Sequence, residues 1–400
     1  MTADDEDDDM DTTELAAAMD ATVAAGDASS IVWLVAIGDE VQAGAVGHLD
    51  ADPGRPTRRD TIFRISSMTK PVTAVAALQL VDDGVLGLDD PVDDLLPELA
   101  DRQVLVDPHG SLDDTVAAER SITLRDLLTF RMGLGFDFAM TGPQPSLDRL
   151  AELGLPPGPP RPQEVPPPAE WLATIGSVPL EFQPGTRWLY HLSADVLGVL
   201  IERASGRTLG EQFAQRIFEP LAMADTGFSV PASKADRFGA CFGEIGDDGT
   251  LEVFDPADGQ WATEPAFRAG GAGLVSTVDD FHAFAAMLQR GGTHDGERLL
   301  SPGLLAAMTT NQLTGEQIAT GGPAPGGDAG WGFGVGIQLR TVPIRGAGAY
   351  DWDGGLGSSW ANDPDLRLTG VLLTDRMWTA PVPPQVCDDF WRAAYRVGRG

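Results

Sequence analysis

Phe63-Arg64-Ile65-Ser66-Ser67-Met68-Thr69-Lys70-Pro71 contains one of only two lysines in a chain of 400 residues. Ser67 and Lys70 are three positions apart, and on a helix a residue at i+3 lies one turn away on the same face, so hydroxyl and amine can touch. A serine hydroxyl becomes a competent nucleophile when a neighbouring base takes its proton. Burial can deprotonate a lysine for that task, whereas an arginine stays charged. Arginine fills nearly every other basic position, so a lysine kept here points to a need for an amine. The competing reading is a serine that caps a helix and a lysine that decorates its first turn. A motif of four residues leaves both open.

From Ser67 through Val81, the residues Val72, Val75, Ala76, Leu78, Leu80 and Val81 predict a helix buried on most sides and ending at Asp82-Asp83-Gly84. Its N-terminus carries partial positive charge, a suitable place for an oxyanion. Upstream, the pattern predicts a helix over 13–25, then strands over 30–37 and 41–48 joined by Gly38-Asp39-Glu40, and a short strand-like run over 61–65. Helical patterns follow at 124–129, 169–175, 193–204 and 209–217. The Pro-rich stretch 155–168 predicts a stiff loop, either a wall of the substrate cleft or a connector. Beyond 278 come helices over 279–289 and 302–310, a Gly-rich span over 321–330, and strand-like runs over 332–339, 347–352, 358–361 and 366–373. A last amphipathic helix covers 384–396. Strands near both ends with helices between them predict an α/β (α+β) domain with a central antiparallel sheet, built from 13–85 and 278–400 and interrupted by a mostly helical insertion over 86–277. The active site is expected between the two.

A hydrophobic content of 42% is enough for a sizeable core. No run of about 18 apolar residues is present, and the chain begins with an acidic run where a signal peptide would be basic and then apolar; a protein that is not exported, and is cytoplasmic, is expected. The net charge of −33 excludes nucleic acid as a partner and argues against anionic membranes. Abundant Ala, Gly, Pro and Asp beside arginine for lysine favour compositional bias over salt adaptation as its origin. The block Asp4-Asp5-Glu6-Asp7-Asp8-Asp9 repels itself, so residues 1–12 should be disordered until Thr12 or Thr13 caps the first helix. Cys241 and Cys387 are too few for a disulfide framework and lack metal-ligand spacing. The five histidines show no paired ligand spacing, and no Gly-x-Ser-x-Gly elbow accompanies them, so neither a metal site nor a Ser-His-Asp triad is indicated. His191 is the histidine next to a candidate site residue; it either shapes the pocket or turns away from it.

Three runs in order, Ser67-Met68-Thr69-Lys70, Pro184-Gly185-Thr186-Arg187-Trp188-Leu189-Tyr190-His191-Leu192 and Trp352-Asp353-Gly354-Gly355-Leu356-Gly357, resemble the serine β-lactamase and penicillin-binding-protein superfamily. The nearest likeness is to its class C-like branch, which includes carboxylesterases. Ile122–Thr129 and Gly270–Thr277 also resemble family segments, and the likeness spans about 30 to 395. It implies the β-lactamase/transpeptidase-like fold, with Ser67 as the nucleophile that forms an acyl-enzyme and Lys70 holding or relaying its proton. Tyr190 matches the first position of the family's Tyr-x-Asn motif, where a phenol acidified by a nearby ammonium acts as general base. The oxyanion would be held by the N–H groups of Ser67 and Gly355, with Gly354 beside them in the third motif. No cofactor or metal is implied.

Two departures bear on the substrate. Leu192 replaces the asparagine of Tyr-x-Asn, removing an amide that in the family contacts substrate and lysine. Trp352 replaces the lysine or histidine whose charge meets a substrate carboxylate. Both changes point to small neutral esters with short acyl chains as the substrate partner. Asp353 either adds negative charge near the mouth or faces solvent, and Arg345 is a candidate substitute cation. The rival readings are a β-lactamase or D-amino-acid amidase or peptidase with the same chemistry, acyl transfer to an acceptor other than water, and an inactive binding protein. Oligomeric state has no signature in the sequence.

Overall fold

The structure, a computed structural model, describes residues 10–139, 141–245, 251–380 and 383–399. The acidic run 4–9 lies outside the described residues. Seven strands form one antiparallel sheet: β1 (Ser30–Ile37), β2 (Glu40–Gly47), β3 (Ala329–Trp331), β4 (Gly336–Gln338), β5 (Tyr350–Gly354), β6 (Ser358–Asp363) and β7 (Leu368–Thr374), in the order β3-β4-β5-β6-β7-β1-β2. The main helices are α1 (Thr13–Ala25), α2 (Thr69–Asp82), α3 (Leu192–Ser205), α4 (Val278–Gln289) and α5 (Gln385–Val397).

β1 joins the two ends of the chain. It pairs with β2 across a two-residue turn, Ile37 opposite Glu40, and with β7 from Ile31 opposite Thr374 to Ile37 opposite Leu368. Its side chains alternate: Val32, Leu34 and Ala36 enter the main core, while Ile31, Trp33 and Val35 enter a second core beneath α1 and α5. A strand covered on both faces reads as an unbroken apolar run, as Ile31–Ile37 does. α4 packs on the opposite face of the sheet against β1, β6 and β7.

α2 is buried from Thr69 to Leu80 and packs against α3 and the helix Leu209–Phe213. Its lack of a polar face explains why apolar residues recur on several sides of the predicted helix. Each large apolar side chain buried there contributes about 1.5–3 kcal/mol. Between α2 and α4, besides α3, the chain forms the helices Leu124–Leu128, Pro145–Glu152, Pro168–Ser177 and Leu209–Phe213, with two antiparallel strand pairs, Gln103–Leu105 with Thr115–Ala117 and Cys241–Ile245 with Leu251–Asp255.

The structure departs from several expectations. Of the strand expected over 332–339 only β4 forms, because the chain turns at Gly332–Val335, where Gly334 has φ +73° and donates its N–H to Leu128 O; its partner β3 starts at the end of the expected Gly-rich span. The predicted helix 209–217 loses α-helical spacing at Ala214 and continues as a π-helical turn, Ala214–Phe218. A helix at Gly315–Gly321 escaped the apolar pattern, although Thr314 and Gln317 form a capping box at its start. Thr12 precedes α1 without a side-chain cap; Asp11 accepts the Thr13 N–H at 3.0 Å in its place. In the Pro-rich stretch, Pro162–Glu164 form a 3₁₀ turn, and Gln163 bonds to Gln260 and Thr263. Among the described residues no helix is long and apolar enough to cross a membrane. Cys241 and Cys387 are both buried free thiols, and burial pushes Cys241 up to about 12.

Candidate active site

Ser67 sits in a 3₁₀ turn, Ser66–Met68, immediately before α2. Ser66 has φ +44°, an uncommon conformation for a residue with a side chain. Three neighbours hold the turn. Thr69 Oγ1 donates to Ser66 O at 2.7 Å and accepts the Leu274 N–H at 3.1 Å. Ser358 Oγ donates to Ile65 O at 2.9 Å. β5 runs past the same carbonyl at Gly354, where a Cβ would lie 2.2 Å from Ile65 O and 2.1 Å from Ser358 Oγ. Gly354 therefore permits the close approach of β5 to the Ser67 turn.

Lys70, on the first turn of α2, places Nζ 2.9 Å from Ser67 Oγ. The amine also donates to Gly271 O at 2.6 Å and lies 3.2 Å from His191 Nδ1. Burial pulls it down to about 7 from an ordinary 10.5, with the Asp195 carboxylate opposing. Lys70 is thus poised to change charge near neutrality.

Tyr190 lies in an extended segment that exchanges both backbone hydrogen bonds with Phe136 (Phe136 N to Tyr190 O 3.0 Å, Tyr190 N to Phe136 O 2.8 Å). Its hydroxyl accepts a hydrogen bond from Trp352 Nε1 at 2.8 Å. Its ring lies 4.6 Å from Lys70 Nζ. Burial drives the phenol above its ordinary value, further than the neighbouring Ser67 and Trp352 lower it, the opposite direction from the acidified phenol that the resemblance implies.

The wall beside these groups is aromatic. Trp352 meets Trp331 edge-on at 4.6 Å between centroids, and Phe130, Trp188 and Trp331 form a buried cluster against Tyr190. Phe138, 58% exposed, lies 5.2 Å from the Tyr190 ring. Asp351 and Asp353 project from the other face of β5. Arg345 pairs there with Asp351 at 2.7 Å and stacks its guanidinium 3.6 Å from the Trp391 ring centre. Arg345 therefore cannot replace the cation missing at Trp352. Asp353 is half-buried and bonded by Ser359 Oγ on that same side, and burial raises its carboxyl to about 6.

Leu192 opens α3 and packs against the main core. The polar contact to lysine made in the family by the asparagine is made here by His191, one residue earlier. Sequence reasoning left His191 either shaping the pocket or turning away from it, and it missed Asp195 and Gly271. A His-x-x-x-Asp spacing at a helix start was the available signal. Among the described residues, no backbone acceptor pairs with the N–H of Ser67 or Gly355, and both remain free to meet an oxygen. Among the described residues, no group of three His, Cys, Asp or Glu side chains converges as a metal site would require.

A beta-lactamase family model matches residues 15–385. An uncharacterized protein of Mycobacterium tuberculosis is 37% identical over 343 residues, covering 83% of this chain and 82% of its own. Esterase EstB of Burkholderia gladioli is 33% identical over 363 residues, covering 83% and 81%. Among solved structures, EstCE1, described as a hydrolase with promiscuous acyltransferase activity, superposes with a TM-score of 0.77 over 96% of this chain and 97% of its own, at 24% identity.

Proposed function

The chain belongs to the beta-lactamase family, and from that premise we propose that it is a serine carboxylesterase that cleaves small neutral esters through an acyl-enzyme on Ser67. The carrying observation is Ser67 Oγ lying 2.9 Å from a buried amine lowered to about 7, on a wall where an indole stands in place of a cation. Neutral Lys70 takes the hydroxyl proton as Ser67 Oγ attacks the ester carbonyl carbon. The carbonyl oxygen becomes an oxyanion facing the N–H groups of Ser67 and Gly355. Collapse breaks the bond to the alcohol oxygen, and the proton returns from Lys70 to that oxygen, directly or through the Tyr190 hydroxyl. Water then repeats the sequence on the acyl-enzyme, releasing the acid and restoring Ser67.

The esterase name of the Burkholderia relative supports the same reading. An alcohol in place of water would give acyl transfer by identical steps. The exposed Phe138 ring offers such an acceptor an apolar surface beside Tyr190, and EstCE1 carries both activities in its description. A carboxylated β-lactam finds no comparable support, since the indole N–H of Trp352 is already spent on Tyr190.

The test is turnover of p-nitrophenyl butyrate and nitrocefin by wild type and Ser67→Ala. Ester hydrolysis abolished in the variant, with little nitrocefin cleavage by wild type, is expected. Full ester activity in Ser67→Ala would overturn the mechanism, and dominant nitrocefin hydrolysis would overturn the substrate class.

A further inference from the structure

The residues around Lys70 close into a ring. Lys70 Nζ donates to Gly271 O at 2.6 Å, and the Gly271 N–H donates to Asp195 Oδ1 at 2.7 Å. Asp195 Oδ2 lies 3.2 Å from His191 Nε2, and His191 Nδ1 returns to Lys70 Nζ at 3.2 Å. The backbone at His191 is held in a costly shape to make this possible. It has φ +81° and ψ −70°, and Leu192 N bonds to Tyr190 O at 3.2 Å, a γ-turn of the rare positive-φ kind. Such a conformation costs about 1–3 kcal/mol and persists where the surroundings enforce it.

We infer that His191, anchored by Asp195, is a positioning residue that directs the lone pair of Lys70 at Ser67. The inference rests on the reading of Lys70 as the base for Ser67. A carboxylate only accepts hydrogen bonds, so Asp195 Oδ2 at 3.2 Å favours the imidazole proton on Nε2, and that tautomer leaves Nδ1 as an acceptor facing the amine. A neutral amine has two N–H bonds and one lone pair. Gly271 O and His191 Nδ1 take the two N–H bonds, and the lone pair is left for the Ser67 hydroxyl. When the amine takes the Ser67 proton it has three N–H bonds and three acceptors, so neither protonation state strands a donor. Without His191 Nδ1 the neutral amine can turn a hydrogen toward Ser67 and its lone pair elsewhere.

The groups that face the amine are Ser67 ahead of α2, Tyr190 and His191 from the turn before α3, Asp195 on α3, and the Gly271 carbonyl. Asp353 lies beyond them on the far face of β5.

The experiment compares His191→Phe, His191→Asn and Asp195→Asn with wild type and Ser67→Ala, measuring kcat, KM and the pH profile on p-nitrophenyl butyrate, with a thermal melt for each. Asparagine tolerates positive φ and can present Oδ1 near the position of Nδ1. His191→Phe should lose about 10- to 100-fold in kcat with KM little changed, and His191→Asn should recover most of it. The ascending limb should move to lower pH in His191→Phe, since the ammonium loses an acceptor, and in Asp195→Asn, since the carboxylate that favours the ammonium is gone. A packing defect would lower kcat and leave the limb in place. His191→Phe within twofold of wild type, an unmoved limb, or a folded His191→Asn no better than His191→Phe would each overturn the inference. Turnover that survives Ser67→Ala would instead overturn the reading beneath it.

Discussion

Trp352 donates its indole N–H to the Tyr190 hydroxyl at 2.8 Å, from a ring wedged edge-on against Trp331. The residue that removes the family's cation from the third motif therefore fixes the position of the phenol oxygen beside Ser67. Trp352→Phe keeps the packing and loses the donor. A hydrogen bond of this kind is worth about 1–1.5 kcal/mol, so kcat on a short ester should fall about 5- to 15-fold with little change in thermal stability. An unchanged kcat in a folded Trp352→Phe would show that the indole N–H does not position Tyr190.

The pH dependence of turnover follows from Lys70. Its folded value is depressed to about 7, so the amine is neutral above that pH and charged below it. Because the base must be neutral, kcat/KM should rise through about pH 7 and then level off. Lys70→Arg should lose turnover at every pH, since a guanidinium does not deprotonate. The same shift affects stability. Between about 7 and the ordinary 10.5 the unfolded chain binds more protons at this site than the folded one, so the contribution of Lys70 to stability improves with rising pH across that window. A rate profile flat from pH 5 to 9 would exclude Lys70 as the titrating base.

The fold was largely legible in the sequence because its strands are either unbroken apolar runs, as in β1, or bounded by turn residues, as in β5 and β6. The Ser67 and Lys70 pairing was legible because helical spacing alone brings i and i+3 together. The Lys70 contacts to His191 and Gly271 were not, because they join residues 121 and 201 positions apart that have no local pattern in common. His191 was also hidden by an expectation of extended backbone after Tyr190, where alternation would turn its side chain away. The γ-turn reverses that direction. Arg345 and Asp353 misled for a related reason: strand alternation places Asp351 and Asp353 opposite Trp352, and the arginine follows them.

Phe138 is the exposed part of the aromatic wall, 5.2 Å from Tyr190 and 6.2 Å from Trp188. An acyl chain or aromatic alcohol that lies on it buries apolar area, worth about 0.8 kcal/mol for each methylene. Phe138→Ala should raise KM for a p-nitrophenyl octanoate about 3- to 10-fold and leave the acetate nearly unaffected. Equal effects on both esters would place Phe138 outside the substrate's path.

Asp375 follows β7 and accepts the Ser29 N–H at 3.1 Å at the base of β1. Burial raises its carboxyl from 3.8 to about 6, more than the bonds from Ser29 and Ser30 lower it. Between those two values the folded chain binds more protons than the unfolded one, so this group's contribution to stability is fully present below about 4 and is lost as pH rises through about 6. Asp375→Asn keeps an acceptor for Ser29 and removes the charge. The variant should match wild type near pH 4 and exceed it at pH 8 by about 1–3 kcal/mol, which a melt would show as a rise of about 2–5 °C. A lower melting temperature for Asp375→Asn at pH 8 would mean that the charge itself, through the field of Arg64 nearby, holds β1 to β7 more strongly than its burial costs.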